Sequence, residues 1–433
     1  MYLIDQGNLL EALSMSVRTL EVVQSSARKR TRYTRYIIVG LTIVLILMTG
    51  WLSRWEVGQK RPLLDFDAFY IVAQRVWLGD AEQAYHLDRF TKLQMDAVGG
   101  KIDVLHWTYP PQFDLLVAPL ALIPVGAAYF LFIAATLAFY LLTLRAIAKG
   151  CFALVVILLS PALFLTLACG QNGFLTGGLI GLACLTIERR QLLAGLSLGL
   201  MVIKPHLAVA IAVYALLARR WIAVVTATAV ILLSAILCTL LLGPQIWSAF
   251  LGSVQDSSAL LERGGFALFR SISVYAVLRT AGLSPSLAFL SQLVVAVFAL
   301  SVVALAIYRN LPARWSLGLA AIASVLISPY AYDYDLPILG VGMALLLPDL
   351  TRLASELERV AIYSLMLISG FYGLLQVLRL SLQYGAGAIE HPVPAFSGFA
   401  LLVLLGLTLR VLLRGAGELR LEVQRAPIQT IER

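Results

Sequence analysis

The chain has 433 residues, 60% of them hydrophobic and 13% charged, against roughly 45–50% apolar usage in soluble domains, so it reads as a polytopic membrane protein. The formal net charge of +9 does not point to nucleic acid, because the basic residues fall in short clusters between apolar runs rather than along one face. The retention of Lys and Arg on the cytoplasmic side of a membrane explains such clusters. Cys151, Cys169, Cys184 and Cys238 lie in or at the ends of apolar stretches, show no metal-ligand spacing, and read as inert core residues.

The first apolar run, about residues 36–52, follows the basic cluster "RKRTRYTR" and is close to the roughly 20 residues a bilayer crossing needs. No small-residue cleavage site follows it, so it reads as an uncleaved anchor preceded by a cytoplasmic segment, 1–35. Further apolar runs bring the count to about twelve, several of them short enough to be tilted, broken or sheltered behind longer neighbours. The expected fold is an all-α bundle of about 10–13 transmembrane helices over 36–413, followed by a cytoplasmic tail, 414–433.

If every run crosses, the short basic turns at Arg145 and Lys149, Arg189 and Arg190, Arg219 and Arg220, Arg309 and Arg314, and Arg352 and Arg359 all fall on the cytoplasmic side, while Lys60, Arg61 and other bases of the same long loop, with Arg263, Arg270, Arg279 and Arg379, are left outside, where long loops translocate largely regardless of charge. The same walk sends "DFDAFY", "GQN", "KPH", residues 243–285, "SPYAYDYD" and "GAGAIEHPV" to the outer side. Polar groups beside hydrocarbon are costly, so their gathering on one side predicts a shared polar cavity.

The first external loop, 53–112, carries Asp65 and Asp67 at the start of a predicted amphipathic helix, with Tyr70, Trp77 and Tyr85 as interfacial anchors. An N-cap is one use for an aspartate there; a helix beginning near Phe66 would be capped by Asp65, leaving Asp67 in its first turn. The second aspartate leaves room for acid–base chemistry. "HWTYPPQF" follows, its prolines holding an extended approach, with Trp107 and Tyr109 suited to a membrane interface or to stacking on a sugar. Gln171 and Asn172 supply neutral donors and acceptors. Lys204 and His206 place cationic or ionisable groups between apolar helices, where Lys204 either snorkels to headgroups or joins Arg270 in receiving an anionic headgroup. Asp333 and Asp335, set among tyrosines, are either helix-end carboxylates or acceptors for a hydroxyl-rich ligand.

"DFDAFYIVAQRVWLGDAEQAYH", "WTYPPQFDLLVAPLALIPVGAA", "GQNGFLTGGLIGL", "VIKPHLAV" and "SPYAYDYDLPIL" occur in the order seen in bacterial glycosyltransferase family 87, which the chain resembles from about residue 36 to 350. The resemblance implies a GT-C-like fold in the bacterial inner membrane. It also implies a sugar, mannose-like or a related hexose, taken from a polyprenyl-phosphate carrier on the outer side. The acceptor would be a lipid or glycan, and the base an acidic residue of the first external loop. Asp65, Phe66, Phe69 and Tyr70 match the family pattern, making Asp65 the carried-over base and Asp67 the alternative. Lys204, His206 and Arg270 are then candidates for the donor phosphate, and Gln171, Asn172, Tyr109, Asp333 and Asp335 for the sugar or acceptor. One base and direct displacement predict inversion. No Gly-rich nucleotide cradle and no obligatory metal or cofactor set is evident, and membrane lipids are the other expected partners. A transporter or flippase for an anionic lipid-linked saccharide would use similar cations, but no polar motif recurs in both halves. A scaffold subunit would treat the motifs as architecture.

Overall fold

In a computed structural model, residues 6–54, 61–99, 105–384 and 393–425 are described. Lys60, the end of the tail and all but the last residue of "GAGAIEHPV", 385–393, lie outside them. Among the described residues there is no strand; the single bridge, Ser271 to Tyr332, joins two loops. Buried backbone groups in hydrocarbon must be satisfied within the segment, and helices do this.

Six stretches are long and apolar enough to cross a membrane: Lys29–Ser53, Val125–Cys169, Trp221–Leu242, Pro285–Tyr308, Glu356–Leu380 and Ser397–Glu418. Val125–Cys169 folds as two helices, Val125–Ala148 and Phe152–Cys169, because the chain turns at Lys149, whose φ is 48°. Two of the shorter apolar segments lie inside the bundle. Every residue from Trp315 to Leu326 and from Leu336 to Leu347 is buried, whereas only 6% of the most apolar window of Trp221–Leu242 is covered by protein. These two short runs therefore shelter behind longer neighbours, whereas Gln191–Ile203 leaves Leu192, Leu196 and Leu200 exposed.

The connections between helices gather at two ends. One end brings together Asp65 with Gln171, Lys204 with Asp335, and Arg270 with Asp333. The other joins Glu188 to Arg220 and Tyr214, Trp315 to Asp349, and Glu358 to Arg414. This is the division that the alternating walk predicts. On the first end the long loop folds as helices Asp65–Leu78 and Leu87–Val98 with a 3-10 turn, Ala81–Tyr85, between them. The second loop forms helix Gln245–Arg263, a 3-10 turn Leu268–Arg270, and helix Val274–Thr280.

Two residues depart from the interfacial reading: the anchor Tyr85, and Trp107, for which stacking on a sugar is the other reading. Tyr85 and Trp107 are each 2% exposed and belong to the core, not the interface. Both donate to Asp114, Tyr85 from its hydroxyl and Trp107 from its indole nitrogen, each at 2.9 Å. A buried carboxylate accepting two such bonds satisfies the polar tips that would otherwise draw these rings to water. Trp77 does stay 61% exposed, with its indole on the Ala118 carbonyl.

Candidate functional site

The site begins with the helix that carries both aspartates. Phe69 is ringed edge-on by Trp107, Tyr109, Phe113 and Phe132 at centroid distances of 5.0–6.0 Å, and Phe66 meets Tyr129 at 5.3 Å. Aromatic pairs of this geometry lock the start of the helix into the bundle.

This register separates the two carboxylates. Asp67 is 2% exposed. Its Oδ2 accepts Arg61 Nη1 at 2.7 Å and the Leu64 backbone N–H at 2.8 Å, and its Oδ1 pairs with Arg61 Nη2. The N-cap is Leu64, so the aspartate serving the helix terminus is Asp67 reaching back, not Asp65. The capping assignment made from sequence is thus corrected by one helical offset. Asp65 is only half-buried, and its one side-chain hydrogen bond among the described residues is to Gln171, whose Nε2 donates to Oδ2 at 3.0 Å. Residues two apart on a helix point in different directions, so Asp67 turns to Arg61 while Asp65 turns to Gln171.

Gln171 and Asn172 sit between helices Phe152–Cys169 and Gly173–Thr186. Gly170 caps the first in the left-handed region, φ 71°, where a Cβ is unfavourable. At Gly173 a Cβ would lie 1.8 Å from the Tyr334 carbonyl oxygen, so only glycine lets the "GQNG" turn touch the "DYD" turn. Gln171 Oε1 accepts the Tyr109 hydroxyl at 3.2 Å. Asn172 is wholly buried beside that hydroxyl, and neither atom of its amide has a hydrogen-bond partner of good geometry among the described residues.

Lys204 and Arg270 come from distant loops to the same tyrosine. Lys204 Nζ lies 4.6 Å and the Arg270 guanidinium carbon 5.8 Å from the centre of the Tyr334 ring, distances at which ring and cation attract. Lys204 is 7% exposed and donates to Asp335 Oδ1 at 2.7 Å. It does not snorkel to headgroups. Asp335 uses its other oxygen to accept the Tyr332 N–H at 3.1 Å. Arg270 forks onto Asp333, Nε to Oδ2 at 3.2 Å and Nη2 to Oδ1 at 3.1 Å. The Ser271–Tyr332 bridge ties the two loops together. Arg263 is exposed and Arg279 donates to the Leu283 and Glu262 carbonyls, so of the three arginines Arg270 alone joins this cluster.

Pairing does not exhaust the cations. Lysine has three N–H groups and arginine five; Lys204 commits one to Asp335, and Arg270 Nη1 has no hydrogen bond among the described residues. Burial, reinforced by Lys204, pulls the His206 imidazole down to about 4 against the opposing pull of Asp335. It is therefore a neutral donor or acceptor near pH 7, not the cation that its residue type permitted, and its buried Nε2 lacks a partner among the described residues. Burial raises the Asp333 carboxyl, a shift that Arg270 opposes. Asp65 stands near enough to Arg270 and Asp333 for their charges to interact.

Three participants were not singled out in the sequence. Asp114 carried a signal, a carboxylate in an otherwise apolar run. Arg61 looked like one base among several in a long loop. Cys169 looked like core, yet its Sγ accepts Arg270 Nη2 at 3.4 Å. Only the folded chain puts them against Trp107, Asp67 and Arg270. Among the described residues no group of three or more His, Cys, Asp or Glu side chains could hold a metal ion.

The helical bundle with six stretches able to cross a membrane, and the cluster at one end of it where Asp65, Arg270, Asp333, Lys204 and Asp335 gather, define a multi-pass membrane protein with a concentrated polar site. The family model for glycosyltransferase family 87 matches residues 107–329, just over half of the chain, and the chain belongs to that family. It is a membrane glycosyltransferase. No curated protein and no solved structure matches it. The matched region contains Tyr109, Gln171, Asn172, Lys204, His206 and Arg270, and the fold brings Asp65, Asp333 and Asp335 to them from outside it.

Proposed function

We propose that the protein moves a mannose-like hexose from a polyprenyl-phosphate carrier to a lipid or glycan acceptor at the outer face of the bacterial inner membrane. The observation that supports this reading best is one incompletely bonded carboxylate, Asp65, within charge-interaction range of Arg270 and in the same cluster as Lys204, two cations that retain N–H groups beyond those given to Asp333 and Asp335. A sugar on a lipid phosphate already has a good leaving group. The enzyme then has to deprotonate the acceptor hydroxyl, hold it in line with the anomeric carbon, and stabilise the departing phosphate.

Asp65 is the general base in this scheme. Arg270 and Lys204 receive the phosphate through N–H groups not used by Asp333 and Asp335, which hold the cations in place, and His206 adds a neutral hydrogen bond. Tyr109 and Asn172 face the sugar. Asp67, with Arg61 on both its oxygens, is not available to take a proton without losing a buried pair. With one base and no second carboxylate acting as nucleophile, displacement inverts the anomeric carbon.

Right-side-out vesicles containing the protein should transfer mannose from polyprenyl-phosphate mannose supplied to the outer leaflet. Transfer from a nucleotide sugar alone, or only after the inner face is opened, would end this reading.

A further inference from the structure

Gln171 was read from sequence as a ligand for sugar hydroxyls, but its two amide atoms are already committed. Oε1 accepts the Tyr109 hydroxyl at 3.2 Å and the Asn172 backbone N–H at 3.3 Å, while Nε2 donates to Asp65 Oδ2 at 3.0 Å. The backbone N–H can only donate, so a flipped amide would set two donors against each other. The amide polarity is thus dictated by its neighbours, and the N–H side must face the carboxylate. The Gln171 backbone is also fixed, by its N–H on the Thr166 carbonyl at 3.2 Å and by the glycines on either side. The side chain is 7% exposed, leaving little surface for a ligand.

We propose that Gln171 is a positioning residue, oriented by Tyr109, that holds the Asp65 carboxylate through Oδ2 and leaves Oδ1 to the acceptor hydroxyl. The assignment rests on Asp65 being the base. With one carboxylate oxygen pinned by a buried amide of fixed polarity, the other is held in one direction, and a general base works only within hydrogen-bond reach of the proton it takes.

The test is the rate at which a water-soluble carbodiimide labels Asp65 at one fixed pH, in the full-length protein in detergent and read by peptide mass spectrometry. Asp67, buried against Arg61, is the internal control for an intact fold. Gln171→Leu, which frees Oδ2, should raise the rate at Asp65 by about 5-fold, the worth of one hydrogen bond. Tyr109→Phe, which only loosens the amide, should raise it less. An unchanged rate in Gln171→Leu, with Asp67 still protected, would overturn the proposal. Neither donor nor acceptor is present in this experiment, so a wrong donor assignment would not disturb its result.

Discussion

The two ends of the bundle both carry ion pairs, but they differ in how deeply those pairs are enclosed. At the far end Arg414 grips Glu358 with two nitrogens and reaches the Leu353 carbonyl with one of them, and Trp315 donates to Asp349. The Arg414 side chain is 39% exposed, and Arg220 and Glu188 are 28% and 35% exposed, so water can replace these ion pairs and they contribute little. At the Asp65 end side-chain exposure is 8% for Lys204, 17% for Arg270 and 1% or less for Asp333 and Asp335. Buried polar atoms without a partner among the described residues occur at both ends, on Asn172 and His206 here and on Gln191 and Arg220 there, so they do not make the difference. Holding several charges out of water is expensive. A protein tolerates it where the charges serve a ligand, and that separates a working end from a merely connecting one.

The sharpest way to break the contrast lies inside the working end. Asp65→Asn should lower transfer by roughly 10²–10⁴-fold, the range for loss of a general base, while the unfolding temperature stays near that of the parent. Asp67→Asn should do the reverse, destabilising the protein by about 3 kcal/mol because Arg61 is left buried without its partner, yet keeping turnover per folded molecule. Both variants need transfer and thermal unfolding measured side by side. Near-normal turnover in Asp65→Asn would remove it as the base.

Lys204→Ala comes next. Losing a charged contact to phosphate at a partly buried site should weaken donor saturation by on the order of 2 kcal/mol, about 30-fold, with acceptor saturation little changed. An unaltered donor KM would exclude Lys204 from the phosphate site.

His206 offers a milder, pH-dependent test. Its folded value of about 4 lies below the usual 6.5, so on acidification the unfolded chain takes up a proton before the native state does. Stability is therefore lost as pH falls from about 6.5 towards 4, by up to about 3 kcal/mol. Thermal unfolding across that window should be less pH-sensitive in His206→Gln; an unchanged slope would mean that His206 titrates normally.

At the far end, Glu358→Gln should leave transfer unchanged and the unfolding temperature near the parent value, because its partner is exposed. A large effect on transfer there would erase the distinction between the two ends.

Much of this division is written locally. Apolar length specifies which segments cross, short basic turns specify how they alternate, and together they send "DFDAFY", "GQN", "KPH" and "SPYAYDYD" to one end before any contact is known. The free energy behind that pattern is transfer between water and hydrocarbon, which depends on each segment's own residues. What "DFD" could not show is which carboxylate is free, since two acids two positions apart have the same composition and differ only in helix register and neighbours. Arg61 and the aromatic ring around Phe69 decide it. Trp107 and Tyr85 were misread for the same reason: an amphipathic ring goes to the interface unless something buried accepts its proton, and the Asp114 that does so becomes a partner only in the folded chain. Lys204 and Asp335 stand 131 residues apart, and nothing in either neighbourhood names the other. Segment hydrophobicity is additive and legible one residue at a time, whereas a buried charge is tolerable only beside its particular partner, and that pairing exists only once the tertiary structure has formed.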